Sequence, residues 1–154
     1  MNNDLAQKVA SWGASSQTSN DTPTNGLVQK VLSWGNTPSD VSSAQSDQGK
    51  QDYNNLCEKF VEQHVYGQTG IFPTAADAWN SYVKDGKAQG GAQNAPAGSM
   101  VYFGADKSNG DFGHVAIADG KGNIIGATSN GVQSIPLTDW IKQTGQTPLG
   151  FVQP

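Results

Sequence analysis

One cysteine and two histidines are the residues of this chain best suited to act as a nucleophile or as a base near neutral pH. The cysteine lies in Asn54-Asn55-Leu56-Cys57-Glu58-Lys59-Phe60-Val61-Glu62-Gln63. Asn54 and Asn55 suit a helix N-cap, because their side-chain carbonyls accept the free N–H groups of a first turn. Cys57, Phe60, Val61, His64 and Val65 then recur at helical spacing and define an inward apolar face. The pattern predicts a helix with Cys57 in its first turn, where unpaired N–H groups and the positive end of the macrodipole favour a thiolate. A lone cysteine is more often a small buried hydrophobe. To act as a nucleophile it needs a base.

His114 is the histidine placed to be that base. It stands in Asp111-Phe112-Gly113-His114-Val115-Ala116-Ile117-Ala118-Asp119-Gly120, at the start of an alternating strand that ends in a turn. A histidine there, preceded by glycine, can reach a cleft at the sheet edge, and its pKa suits removing a thiol proton. His64 lies seven residues beyond Cys57 on the same helix, about 10.5 Å along its axis. That separation excludes a shared proton and leaves His64 as a packed or solvent-tipped helix residue. Cys57 and His114 together form a candidate Cys–His nucleophile pair. Two histidines and scattered acids show no metal-ligand spacing such as HExxH, so no metal or other cofactor is expected.

The elements that must position this pair follow in order. Leu5 to Gly13 (LAQKVASWG) recurs as Leu27 to Gly35 (LVQKVLSWG), each copy placing Leu, Val and Trp on one stripe of a two-turn helix ended by glycine. The segments between and after the copies, Ala14 to Gly26 and Asn36 to Gly49, are rich in Ser, Thr, Asn and Gln and read as flexible linkers. Residues 1–26 are thus a flexible segment with a short duplicated helix, and residues 27–154 form the domain. Thr74 caps a second helix with Ala75, Ala78, Trp79 and Tyr82. Short strands follow at Ser99 to Phe103, Phe112 to Ala118, Asn123 to Thr128 and Val132 to Leu137. Thr138 and Asp139 start a short helix, and Leu149 to Val152 closes the sheet. Helices packed on an antiparallel sheet of about five short strands make the fold class α+β.

Composition narrows the partners. The nine basic residues are all lysine and the net charge is −4. Without arginine forks, a nucleic-acid partner is not expected. A single cysteine excludes an intrachain disulfide framework and any multi-cysteine zinc site. No apolar run approaches the ~20 residues that span a bilayer. Met1 to Ala10 lacks the basic and continuous apolar regions of a secretory signal.

The motifs resemble a known group. L-C-E-K-F-V on a helix, P-A-G-S-M-V-Y-F (Pro96 to Phe103) opening a sheet, and G-H-V-A-I-A-D-G-K-G-N-I-I-G-A-T (Gly113 to Thr128) are similar to the NlpC-type and CHAP (cysteine, histidine-dependent amidohydrolase/peptidase) families. These are bacterial cell-wall hydrolases with a papain-like core. Leu27 to Pro38 likewise resembles the helix that opens NlpC-type domains. The resemblance implies Cys57 as nucleophile and His114 as general base and acid. It also implies a polar residue on the next strand orienting the imidazole, but ungapped alignment puts Gly126 there. Thr128, two residues on and on the same strand face, is the substitute, with Asn130 or a bound water as the others. The aromatic-glycine segment that supplies a tyrosine near the oxyanion is missing. The Cys57 backbone N–H is therefore the expected oxyanion donor, with Tyr53 or Gln48 in support.

The function so implied is cleavage of an amide bond in peptidoglycan, as an endopeptidase or amidase, through a thioester on Cys57. The expected setting is the bacterial cell wall, reached by phage lysis or a virion tail as an endolysin or virion-associated hydrolase. Leu5 to Gly13 is a candidate contact for virion or tail proteins. The alternative is a catalytically weakened cell-wall-binding or structural module of a phage tail or secretion device.

Overall fold

The computed structural model describes residues 38–154. The two copies of the short repeat and the boundary at residue 26 lie outside the described residues.

Helix α1 (Ser39–Ser46) falls where the composition reads as linker. Only Val41 and Ala44 are apolar enough to bury, yet both are fully enclosed. Docking, not propensity, holds so short and polar a helix. Polar pins help: His64 joins Ser43 Oγ through Nδ1 at 2.6 Å and Asp47 Oδ2 through Nε2 at 3.1 Å. His64 is thus a packed residue of the α1–α2 contact, well accounted for outside any catalysis.

Helix α2 (Cys57–Tyr66) ends at Gly67, whose φ of 71° is the left-handed conformation that terminates helices without a Cβ penalty. Its N-cap is Leu56, with no side-chain cap bond, so the expected capping by Asn54 or Asn55 is not formed. Asn55 instead takes φ 61°, and its N–H bonds to Thr128 O at 3.4 Å. Helix α3 (Ala75–Lys84) is capped as expected, Thr74 Oγ1 accepting from Asp77 N at 3.1 Å.

The strands are β1 (Met100–Phe103), β2 (His114–Ala118), β3 (Asn123–Thr128), β4 (Gly131–Pro136) and β5 (Pro148–Val152), with helix α4 (Leu137–Thr144) before the last. They form an antiparallel sheet in the order β4-β3-β2-β1-β5. The fold is α+β. Four consecutive strands meander, and β5 returns to the free side of β1.

Each face of the sheet carries its own core. On one, Phe60, Val61, Ala78 and Tyr82 pack against Met100, Tyr102, Val115, Ile117 and Ile125. On the other, Leu137 and Trp140 pack against Val101, Phe103, Ala116, Ala118 and Ile124. Because β1 and β2 are covered on both sides, every residue in them is buried, His114 included. Each large side chain so buried contributes about 1.5–3 kcal/mol.

One carboxylate is built into the helical side. Glu62 is 2% exposed and accepts from Gly70 N, Ile71 N and Phe72 N at 2.6, 3.1 and 2.7 Å. It ties the loop after α2 back to that helix.

Candidate active site

Cys57 is the first residue of α2 and His114 the first residue of β2. Both line a cleft of about 680 Å³ at the end of the sheet where β2 begins and β3 ends.

The cysteine is delivered by a tight turn. Asn54 N bonds to Gln51 O at 3.2 Å and Leu56 N to Tyr53 O at 2.8 Å, after which the first helical bond runs from Phe60 N to Leu56 O. The Cys57 N–H therefore has no acceptor among the described residues, as expected for an amide in a helix's first turn. The thiol packs beside the helical-face core that includes Val115 and Ala127.

The histidine is delivered by a stapled loop. Asn109 Oδ1 accepts from Asp106 N and Gly113 N at 3.0 and 3.1 Å, while its Nδ2 donates to Gly104 O at 2.9 Å. Gly113 has φ 76°, and a Cβ there would stand 3.1 Å from both Ala76 N and Phe103 O. Only glycine lets the chain pass between α3 and β1 into β2. Strand alternation then turns His114 to the α4 side, against the Trp140 ring (4.6 Å, interplanar angle 21°) and Phe103 (5.8 Å). Thiol and imidazole thus reach the cleft from opposite faces of the sheet, and no hydrogen bond joins them.

Burial sets the electrostatics. It pushes the Cys57 thiol up to about 11; the Val115 N–H, close to the sulfur, pulls the other way, and the nearby Glu58 carboxyl reinforces the rise. The expected thiolate is therefore not the resting state: desolvation outweighs the helix N-terminus. Burial lowers His114 to about 4, leaving the imidazole neutral and able to accept a proton. Glu58, 6% exposed, is raised to about 8 by burial and by the Glu62 charge. Its Oε2 has no hydrogen-bond partner among the described residues.

The other expected residues divide. Thr128 lines the cleft, but its hydroxyl donates to Gly131 O at 2.8 Å and accepts from Asn130 N at 3.0 Å. It closes the β3–β4 turn and makes no bond to His114. Asn130 also lines the cleft. Gly126 faces the imidazole: a Cβ there would lie 3.4 Å from His114 Nε2 and 3.0 Å from Ala116 Cβ. Tyr53 packs edge-on against Phe60 at 5.3 Å and is not among the cleft residues. Gln48 is exposed in the turn after α1, also outside the cleft.

Sequence reasoning missed the residues that hold the imidazole. Trp140 stacks on it, and Trp140 Nε1 donates to Gln146 Oε1 at 3.1 Å while Gln146 Nε2 donates to Ser108 Oγ at 2.9 Å. This chain joins α4 to the loop that delivers His114. The apolar spacing of Leu137, Trp140 and Ile141 signals a buried helix face, but nothing in it signals a histidine partner.

No family model and no curated protein sequence matches the chain. Among solved structures, it is similar to an NlpC/P60 family protein from Bacillus cereus ATCC 10987, with a TM-score of 0.52 and 18% sequence identity. The likeness covers 77% of this chain and 42% of that one, so the chain spans less than half of that protein's length. The α+β arrangement described above is the fold of that protein.

Proposed function

We propose that this chain hydrolyses an amide bond in bacterial peptidoglycan with Cys57 as nucleophile and His114 as general base and acid. One observation carries the reading: the first residue of α2 and the first residue of β2 open into one cleft, on the fold of an NlpC/P60 family protein. The Cys57 thiol gives its proton to the neutral imidazole as Sγ bonds to the carbonyl carbon. The Cys57 N–H, which donates to no backbone acceptor among the described residues, stabilises the oxyanion. The C–N bond then breaks as the imidazolium protonates the departing amine, leaving a thioester. Water, deprotonated by His114, attacks the thioester and releases the acid and the thiol.

A neutral thiol and a neutral imidazole start this cycle, so the proton moves together with the attack. Trp140 takes the place of a polar partner and fixes the ring by stacking. Thr128 shapes the cleft through its turn. The bacterial cell wall is the proposed place of action, with delivery by phage lysis or a virion tail as the setting that a surface sparse in charge and rich in amides suits.

The test is digestion of purified cell walls, with the new chain ends identified by mass spectrometry. New amines and carboxyls from wild type, and none from a folded Cys57→Ala variant, are expected. Equal cleavage by Cys57→Ala would refute the mechanism. A second reading, a wall-binding module, is favoured by the glycine opposite Nε2 and the missing thiol–imidazole bond. It expects retention on the wall with no new chain ends.

A further inference from the structure

The cleft around Cys57 and His114 has no charged wall. Its lining is Asn, Gln, Ser, Thr, Gly, Ala and aromatic side chains, without one Asp, Glu, Lys or Arg among the described residues. Several of its polar groups are already used. Asn109, Thr128, Thr144 and Gln146 spend their side chains on the fold. By contrast, the side chains of Asn55, Ser129, Asn130, Gln133 and Gln143 bond to no described residue. They leave amides and a hydroxyl, with both donors and acceptors, facing the cleft.

We propose that this cleft selects acyl donors that are uncharged around the cleaved bond, in particular peptides whose flanking carboxyls are amidated. The inference rests on the hydrolase reading and names the substrate class of the same site. A carboxylate entering the cleft loses water and meets no cation, whereas a carboxamide exchanges its water for the free Asn and Gln groups. A neutral primary amide matches a glutamine or asparagine side chain donor for acceptor and acceptor for donor. The net charge of −4 adds a weak repulsion for anionic ligands.

Purified wall fragments, with their carboxyls either untouched or converted to amides by carbodiimide and ammonia, supply the two substrates. Wild type is expected to cleave the amidated preparation about tenfold faster or more. Equal or faster cleavage of the untreated fragments overturns the proposal. In parallel, calorimetry on Cys57→Ala compares the two soluble fragment preparations as ligands. There the amidated fragments are expected to bind about tenfold tighter. No cleavage of either preparation, with that binding preference kept, would fail the hydrolase reading and leave the selectivity standing. Equal binding, or none by the amidated fragments at millimolar concentration, overturns the selectivity. Gln143→Lys, at an exposed rim position, is expected to shift the ratio toward the carboxylate ligand. An unmoved ratio also overturns the proposal, since the missing cation would then not be its source.

Discussion

Replacing Gly126 with serine should return a polar partner to His114. A Cβ at 126 would lie 3.4 Å from Nε2, so an oxygen one bond further can sit at hydrogen-bonding distance. The cost is the 3.0 Å approach to Ala116 Cβ, directly across on β2, which β3 must relieve by shifting a few tenths of an ångström. A hydrogen bond is worth about 0.5–1.5 kcal/mol when neutral and about 1.5–3 kcal/mol when one partner is charged. The difference favours the imidazolium by about one pKa unit. His114 should therefore titrate about one unit above the wild-type value near 4. Histidine ring resonances followed by NMR from pH 3 to 7 report this directly, with His64→Gln used to assign them. Turnover on cell walls should rise, because the imidazolium formed during attack is better stabilised. An unmoved His114 pKa in a folded Gly126→Ser protein would refute the geometry. Adding Ala116→Gly should remove the steric cost and leave the titration shift in place.

Trp140→Ala should expose the imidazole, raise its pKa toward the ordinary 6.5 and cost about 3–5 kcal/mol in denaturant unfolding; Trp140→Phe should keep the stack and most of the activity. Gly113→Ala forces a Cβ between Ala76 N and Phe103 O at a φ of 76°, so it should lose roughly 1–3 kcal/mol and most turnover. Two buried groups give the pH profile of stability. His114, depressed from 6.5 to about 4, withholds stability as pH falls through that window, because the unfolded chain takes up the proton first. Glu58, raised from 4.5 to about 8, gives stability below 4.5 that is lost as pH rises toward 8. The two oppose each other between pH 4.5 and 6.5, and Glu58 prevails from 6.5 to 8. Urea unfolding should show a decline over that upper range in wild type, absent from Glu58→Gln, which should gain on the order of 3 kcal/mol at pH 8.

The strands were legible because most of the apolar runs start or stop at a glycine turn, and Asn123–Thr128 matches to the residue; the place of β5 beside β1 was not, because that pairing is long-range. Cys57 at a helix start and His114 at a strand start were also legible, since both are local features. What failed depends on tertiary context. Helix α1 looks like linker because two small apolar residues suffice once a groove receives them. The alternation rule correctly put Thr128 on the His114 face, but a β-turn two residues on captured its hydroxyl. The apolar spacing of α2 does not include Glu58 and Glu62, yet both are buried: the Gly70–Phe72 loop folds back and brings its N–H groups to Glu62, while Glu58 Oε2 finds no partner among the described residues. Stacking by Trp140 joins elements 26 residues apart, and composition carries no trace of it.

The raised thiol pKa has a consequence for durability. At pH 7 a shift from 9.0 to about 11 leaves about 100-fold less thiolate. Each remaining thiolate is about eightfold more reactive, because nucleophilicity rises with basicity, so alkylation and peroxide attack slow by about tenfold. Partial burial of the sulfur slows them further. A cysteine held this way stays off the oxidation ladder that leads through sulfenic acid to irreversible sulfinic and sulfonic forms. Outside a reducing compartment, where no thiol pool repairs the damage, a reluctant thiol keeps its function longer than an activated one.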